Sequence, residues 1–236
     1  MKHNTVEFLG LDYRNDDSIW LRHREPLQRL IGIAGMALPL LLYLFLLLHD
    51  GQTQELPSIS HYYFTRASGV FIIVISILAL FLILYTGYEP IDFYVSVISG
   101  FFALLLIILP TSNLSETWSD PSYVVTVVEE SSFRSNLHFI SAAIFLGGLA
   151  FMSIFLFTKS DKPPGARGRD KVLRNRICRV CGMLMIAAML VILGGSMGWI
   201  LQDGYDKLHM TFWMETVAVE SFGVSWLVKA RVFTQD

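Results

Sequence analysis

Two glutamates stand inside an otherwise apolar stretch near the C-terminus, Glu215 and Glu220. A carboxylate at the centre of a membrane-crossing helix costs about 2.5–3.5 kcal/mol even on the lenient insertion scale. Such an acid is expected to face the protein interior and to have a partner there. Five residues of separation turn the two about 140° apart on a helix, so they are not expected to share one site. Four of the six histidines, His49, His61, His138 and His209, fall at the ends of apolar stretches. His61 follows Pro57, Ser58 and Ser60; His138 opens an apolar stretch with Ser141 one turn below it; His209 precedes the stretch that carries Glu215. Imidazole and carboxylate are the side chains of general acid–base catalysis. Glu215, His138 and His61 are therefore the catalytic candidates. The same chemistry suits zinc, which needs three protein ligands and an open position in a catalytic site. His61, His138, His209 and Glu215 are the candidates for such a cofactor, with no HxxxH spacing among them. The competing reading is a set of separate interfacial histidines. Ser58 and Ser60 lie next to His61, and a nucleophilic serine needs an adjacent base. Sequence neighbours point in different directions, however, and turn hydrogen bonding after Pro57 is the expected role of these serines.

Arg66 and Arg134 accompany the histidines. They are candidates to hold a phosphate or carboxylate head through bidentate bonds. With Tyr62, Ser141, His209 and Glu220 they complete the expected ligand-binding set. Cys178 and Cys181 form a CxxC in a basic helical context, which reads as two small buried thiols. Glycines at 147–148 and 194–198 are packing signals.

These residues must be positioned by a membrane domain. The chain is 236 residues long, 53% hydrophobic and only 16% charged, whereas soluble domains carry about 25% charge. Six apolar stretches of roughly 20 residues, the length of a span, lie at 27–48, 67–85, 91–109, 137–157, 177–201 and 211–228. The polar turn at 86–90 makes the second and third a hairpin. Fifteen of the 18 Lys and Arg fall in the N-terminal segment with the start of the first stretch, the loop between the fourth and fifth stretches with the edge of the fifth, and the C-terminal tail. By the positive-inside bias the termini are in the cytoplasm. The expected fold is an all-α, polytopic six-helix bundle, N-in/C-in, over residues 27–232. A polar cytoplasmic segment, residues 1–26, precedes it and suits an interfacial helix. That polar start argues against a cleaved signal peptide. The long loop at 110–136 lies outside, and its β-branched stretch 123–128 suits a short strand or lid.

The run Ser58-Ile59-Ser60-His61-Tyr62-Tyr63, the segments 81–88 and 137–143, Leu109-Pro110-Thr111-Ser112, and the segments 174–182 and 212–229 together resemble a group of bacterial six-helix membrane proteins. That group is labelled a domain of unknown function and is distantly similar to DRAM and Sfk proteins and to GPI-lipid-remodelling factors. Those proteins share a Pro-Ser-Ile-Ser after the first span and a glutamate in the last. The resemblance covers about residues 56–230 and implies a bacterial inner-membrane protein. A wider, looser likeness is to transmembrane hydrolases such as alkaline ceramidases and adiponectin receptors, carried by Ser58, Ser60 and His61. The late HxxxH of that group is absent, with Glu215 and Glu220 in its place.

The sequence thus points to a polar cavity on the outer-leaflet side that binds or modifies a lipid or similar amphiphile, by hydrolysis or acyl transfer if enzymatic. The alternative is a non-enzymatic scaffold, sensor or small transporter. Anionic lipid headgroups are the expected partners of the basic loop. A net charge of −2 gives no reason to expect nucleic acid, and an oligomer is compatible with the sequence.

Overall fold

The computed structural model describes residues 17–87, 89–160, 163–200 and 202–232. Residues 1–16 of the polar N-terminal segment lie outside the described residues. The described chain is helical: α1 (Asp17–Asp50), α2 (Ser68–Leu84), α3 (Pro90–Ile108), α4 (Ser132–Phe151), α5 (Arg169–Ser196), the short α6 (Gln202–Lys207) and α7 (Met210–Lys229). Four stretches are long and apolar enough to cross a membrane: Pro26–Asp50, Pro90–Ile108, Ser132–Leu156 and Arg169–Ser196. This is the make-up of an integral membrane protein. Ser68–Leu84 is equally apolar but shorter. Met210–Lys229 has the length, but Glu215, Glu220 and its hydroxyl residues make it more polar.

Residues 17–26 and the first apolar stretch are one helix, since α1 runs on through both Pro26 and Pro39. The 86–90 turn is fastened by a capping box. Glu89 is the N-cap of α3, and the Asp92 carboxylate accepts the Glu89 N–H at 3.1 Å. Pro90 occupies the first turn, where its missing N–H costs nothing. α4 continues into a π-helical turn, Met152–Leu156, closed by Phe157 N–H donating to the Met152 carbonyl at 2.9 Å. In sequence order each long helix packs on the next, and α7 packs between α5 and α1, so the last helix joins the two ends of the bundle.

The α1–α7 contact needs glycine. A Cβ on Gly32 would lie 2.9 Å from the Gly223 carbonyl oxygen, and one on Gly223 would lie 2.6 Å from the Gly32 carbonyl oxygen. The two backbones approach as small residues allow between apolar helices. This draws Trp226 into the centre, where it meets the rings of Phe81, Tyr85, Phe157 and Phe222. Cys178 and Cys181 are buried and unlinked.

At the histidine end, the loops lie over the helices. Residues 123–125 run beside residues 64–66, with an isolated antiparallel bridge between Thr65 and Val124. Val125 N–H donates to the Phe64 carbonyl and Arg66 N–H to the Tyr123 carbonyl, both at 2.9 Å. The β-branched stretch therefore covers the mouth as one bridge, with no strand among the described residues.

Candidate functional site

The site is built on a single 3₁₀ turn, Ile59–Phe64. Ser58 is its N-cap, and the Ser58 hydroxyl oxygen accepts the His61 N–H at 3.3 Å. That leaves the Ser58 hydroxyl proton able to point at His61 Nδ1, 2.6 Å away. Two further N–H groups at the start of such a turn need acceptors. Glu215, reaching across from α7, supplies one: its Oε2 accepts the Ile59 N–H at 2.5 Å, and the Ser60 N–H addresses the same carboxylate. The acid anticipated to need a partner therefore finds it in backbone amides 156 residues away.

Held this way, Ser60 turns its hydroxyl toward α4. Ser60 Oγ lies 3.0 Å from His138 Nε2, and His138 Nδ1 lies 2.8 Å from the Leu109 carbonyl oxygen. A carbonyl only accepts, so Nδ1 carries the imidazole proton and Nε2 of the neutral ring is the acceptor for the Ser60 O–H. The arrangement is a serine, a histidine and an orienting acceptor, with a backbone carbonyl where a carboxylate often stands. His138 is buried at 3% exposure, whereas Ser60 is half-buried. His61, in the turn beside it, is held neutral. Burial, with a smaller push from the nearby His138, brings its pKa down to about 4.

His61, His138 and Glu215 are thus brought together, through Ser58, Ile59 and Ser60. Tyr62 is fully buried against Phe212, and its phenol bonds the Leu56 backbone; burial raises its pKa. Arg66 is exposed; its Nε lies 3.3 Å from Asp50 Oδ1 and donates to the Ser122 carbonyl at 3.0 Å. Arg134 donates to the carbonyls of Pro110, Glu129 and Thr111, clamping the outer loop. Both guanidiniums therefore fasten the loop cover. Ser141 donates to the Leu137 carbonyl of its own helix at 2.7 Å. Glu220 is half-buried and has no hydrogen-bond partner among the described residues. It sits one and a half turns along α7 from Glu215.

His209 stands apart, at the edge of a second space. It is left-handed at φ 47°, precedes α7, packs edge-on against Trp118, and holds Nδ1 3.3 Å from Glu55 Oε1. Among the described residues no three His, Cys, Asp or Glu side chains gather as a metal would need.

The Ser60–His138 pair escaped sequence reasoning because its members are 78 residues apart. The available signal was the co-occurrence of a Pro-Ser-Ile-Ser turn with a histidine at the mouth of another helix. No protein-family model, curated protein or solved structure matches this chain.

Proposed function

We propose that the chain is a six-span protein of the bacterial inner membrane, with termini and basic loop in the cytoplasm, that binds and modifies a membrane lipid or similar amphiphile. Its family resemblance to the six-helix proteins of unknown function belongs to the same proposal. The observation that carries it is the Ser60 Oγ contact with His138 Nε2, oriented by the Leu109 carbonyl. It lies at the mouth of an apolar bundle, where a head meets polar groups while its tail lies along the helices.

The reaction is acyl transfer. Ser60 Oγ attacks an ester or amide carbonyl as His138 Nε2 takes its proton. The bond to the leaving alcohol or amine breaks, and His138 returns the proton to that group. Water, or a second alcohol, then takes the acyl group from Ser60 by the same steps in reverse. Glu215 is a positioning residue in this scheme: it holds the turn that presents Ser60. Zinc has no role in this scheme. Anionic lipid heads at the basic loop remain part of the reading.

A non-enzymatic scaffold, sensor or small transporter is the second reading. It is favoured by one observation: Ser58, Ser60, His61, His138 and Glu215 already partner one another. The two separate cleanly. A serine-directed fluorophosphonate should label the purified full chain at Ser60, and release of fatty acid from acyl-labelled phospholipid should fall at least ~10³-fold in S60A and H138A. Absence of labelling, with equal lipid turnover in wild type and S60A, would leave the scaffold.

A further inference from the structure

Beside the serine turn is a second space that the catalytic reading leaves unused. It is a cavity of about 190 Å³ bordered by Pro57, Trp118, Tyr205, Asp206, His209 and Thr211. It adjoins the site along two paths. Pro57 immediately precedes Ser58, and its carbonyl accepts the Phe212 N–H at 3.1 Å. Thr211 lies one turn before Glu215 on α7, and Tyr205 is within electrostatic reach of both Glu215 and Asp206.

The lining is aromatic and acidic. Tyr205 is nearly buried because its ring packs where a side chain on Gly195 would be; a Cβ there would fall 2.3 Å from the ring. Its hydroxyl is paired with Thr211 Oγ1 at 2.9 Å. The polar ends of these two residues are thus turned to each other. Asp206, an exposed residue, borders the cavity, and the Glu55 carboxylate lies just behind His209. Among the described residues no Lys or Arg borders the cavity. The arginines of this end are engaged elsewhere, Arg66 with Asp50 and Ser122, and Arg134 with three loop carbonyls. A phosphate would find no guanidinium here. A cation would find aromatic and acidic residues at this border, the combination that holds ammonium groups.

We propose that this cavity seats the ammonium head, primary or quaternary, of the amphiphile whose acyl linkage meets Ser60. The inference rests on the amphiphile reading above and adds the headgroup class. Asp206 neutralises the positive charge, and Trp118 and Tyr205 enclose it.

The test titrates the full chain in neutral detergent micelles with short-chain phosphatidylcholine, phosphatidylethanolamine and phosphatidylglycerol, and with free choline and ethanolamine. Binding is read calorimetrically. The ammonium-headed lipids should bind about tenfold more tightly than phosphatidylglycerol, as one desolvated cation–aromatic contact with a carboxylate allows. D206N and W118L should each remove most of that preference while leaving the melting temperature in place. S60A should keep the preference and lose turnover, which separates failure of the headgroup site from failure of the catalytic reading. Equal binding of phosphatidylglycerol overturns the proposal. Free choline binding as tightly as its lipid overturns the lipid source of the ammonium. A preference that survives both D206N and W118L overturns the placement in this cavity.

Discussion

At the basic end of the bundle, Glu89 and Asp92 meet Lys159 Nζ at 2.7 and 3.2 Å. At the histidine end, Glu215 meets no cation among the described residues and bonds to the amides of Ile59 and Ser60. Both arrangements place an acid at the start of a helical turn. Their partners differ. The Asp92 carboxylate, 4% exposed, is neutralised by a side chain from the loop after α4 and fastens the α2–α3 hairpin to that loop. Glu215 is satisfied by dipoles alone, and the groups around it, Ser58, Ser60, His61 and His138, are all neutral hydrogen-bonding groups. A charge-compensated cluster resists change. A neutral one leaves a hydroxyl and an imidazole lone pair free to exchange a proton, which is what acyl chemistry needs.

Glu215→Ala should produce the largest stability effect, about 2–4 kcal/mol, because it leaves two turn N–H groups without an acceptor. Glu215→Gln, which keeps an acceptor oxygen, should cost roughly half as much. Chemical or thermal unfolding in detergent would measure both. Equal losses in the two variants would mean that the acceptor oxygen is not what holds the turn, and would erase the contrast with Asp92.

Lys159→Ala comes next, at about 1–2 kcal/mol, since it strands the buried Asp92 carboxylate while Lys159 itself is one-third exposed. Adding D92N should recover most of that loss. A double variant no more stable than K159A would show that the pair is not compensating charge.

The last expectation is a pH dependence confined to the histidine end. His61 titrates near 4 in the folded chain and near 6.5 when unfolded. The unfolded chain therefore binds the proton first as pH falls. The stability contributed by neutral His61 is complete above pH 6.5 and is lost progressively between about 6.5 and 4, by about 1–3 kcal/mol. H61Q should flatten the wild-type melting profile over that window and leave it unchanged above. K159A, at the other end, should keep the wild-type slope. A slope that persists in H61Q would assign the titration to another group.

Much of the helical pattern was legible from the chain, because burial in lipid requires long runs of apolar side chains whatever their neighbours. The stretches at 27–48, 91–109, 137–157 and 177–201 correspond to helices able to cross a membrane. Residues 17–26 belong to the same helix as the first apolar stretch, a continuity that their polar composition does not reveal. Within the site, Glu215, His61 and His138 were conspicuous because polar groups in apolar stretches need partners. Which partners they take was not legible. Arg66 and Arg134 are anion-clamp candidates by residue type, and their contacts with backbone carbonyls and Asp50 could be read only from the fold.

The sequence by itself determined the solvent: apolar length and charge asymmetry are local sums that require no knowledge of contacts. Only the tertiary structure decided the chemistry. A hydrogen bond depends on two atoms coming within about 3 Å, and Ser60, Leu109, His138 and Glu215 come from four separate segments. Their convergence follows from α7 packing between α5 and α1, which the close approach of Gly32 and Gly223 permits.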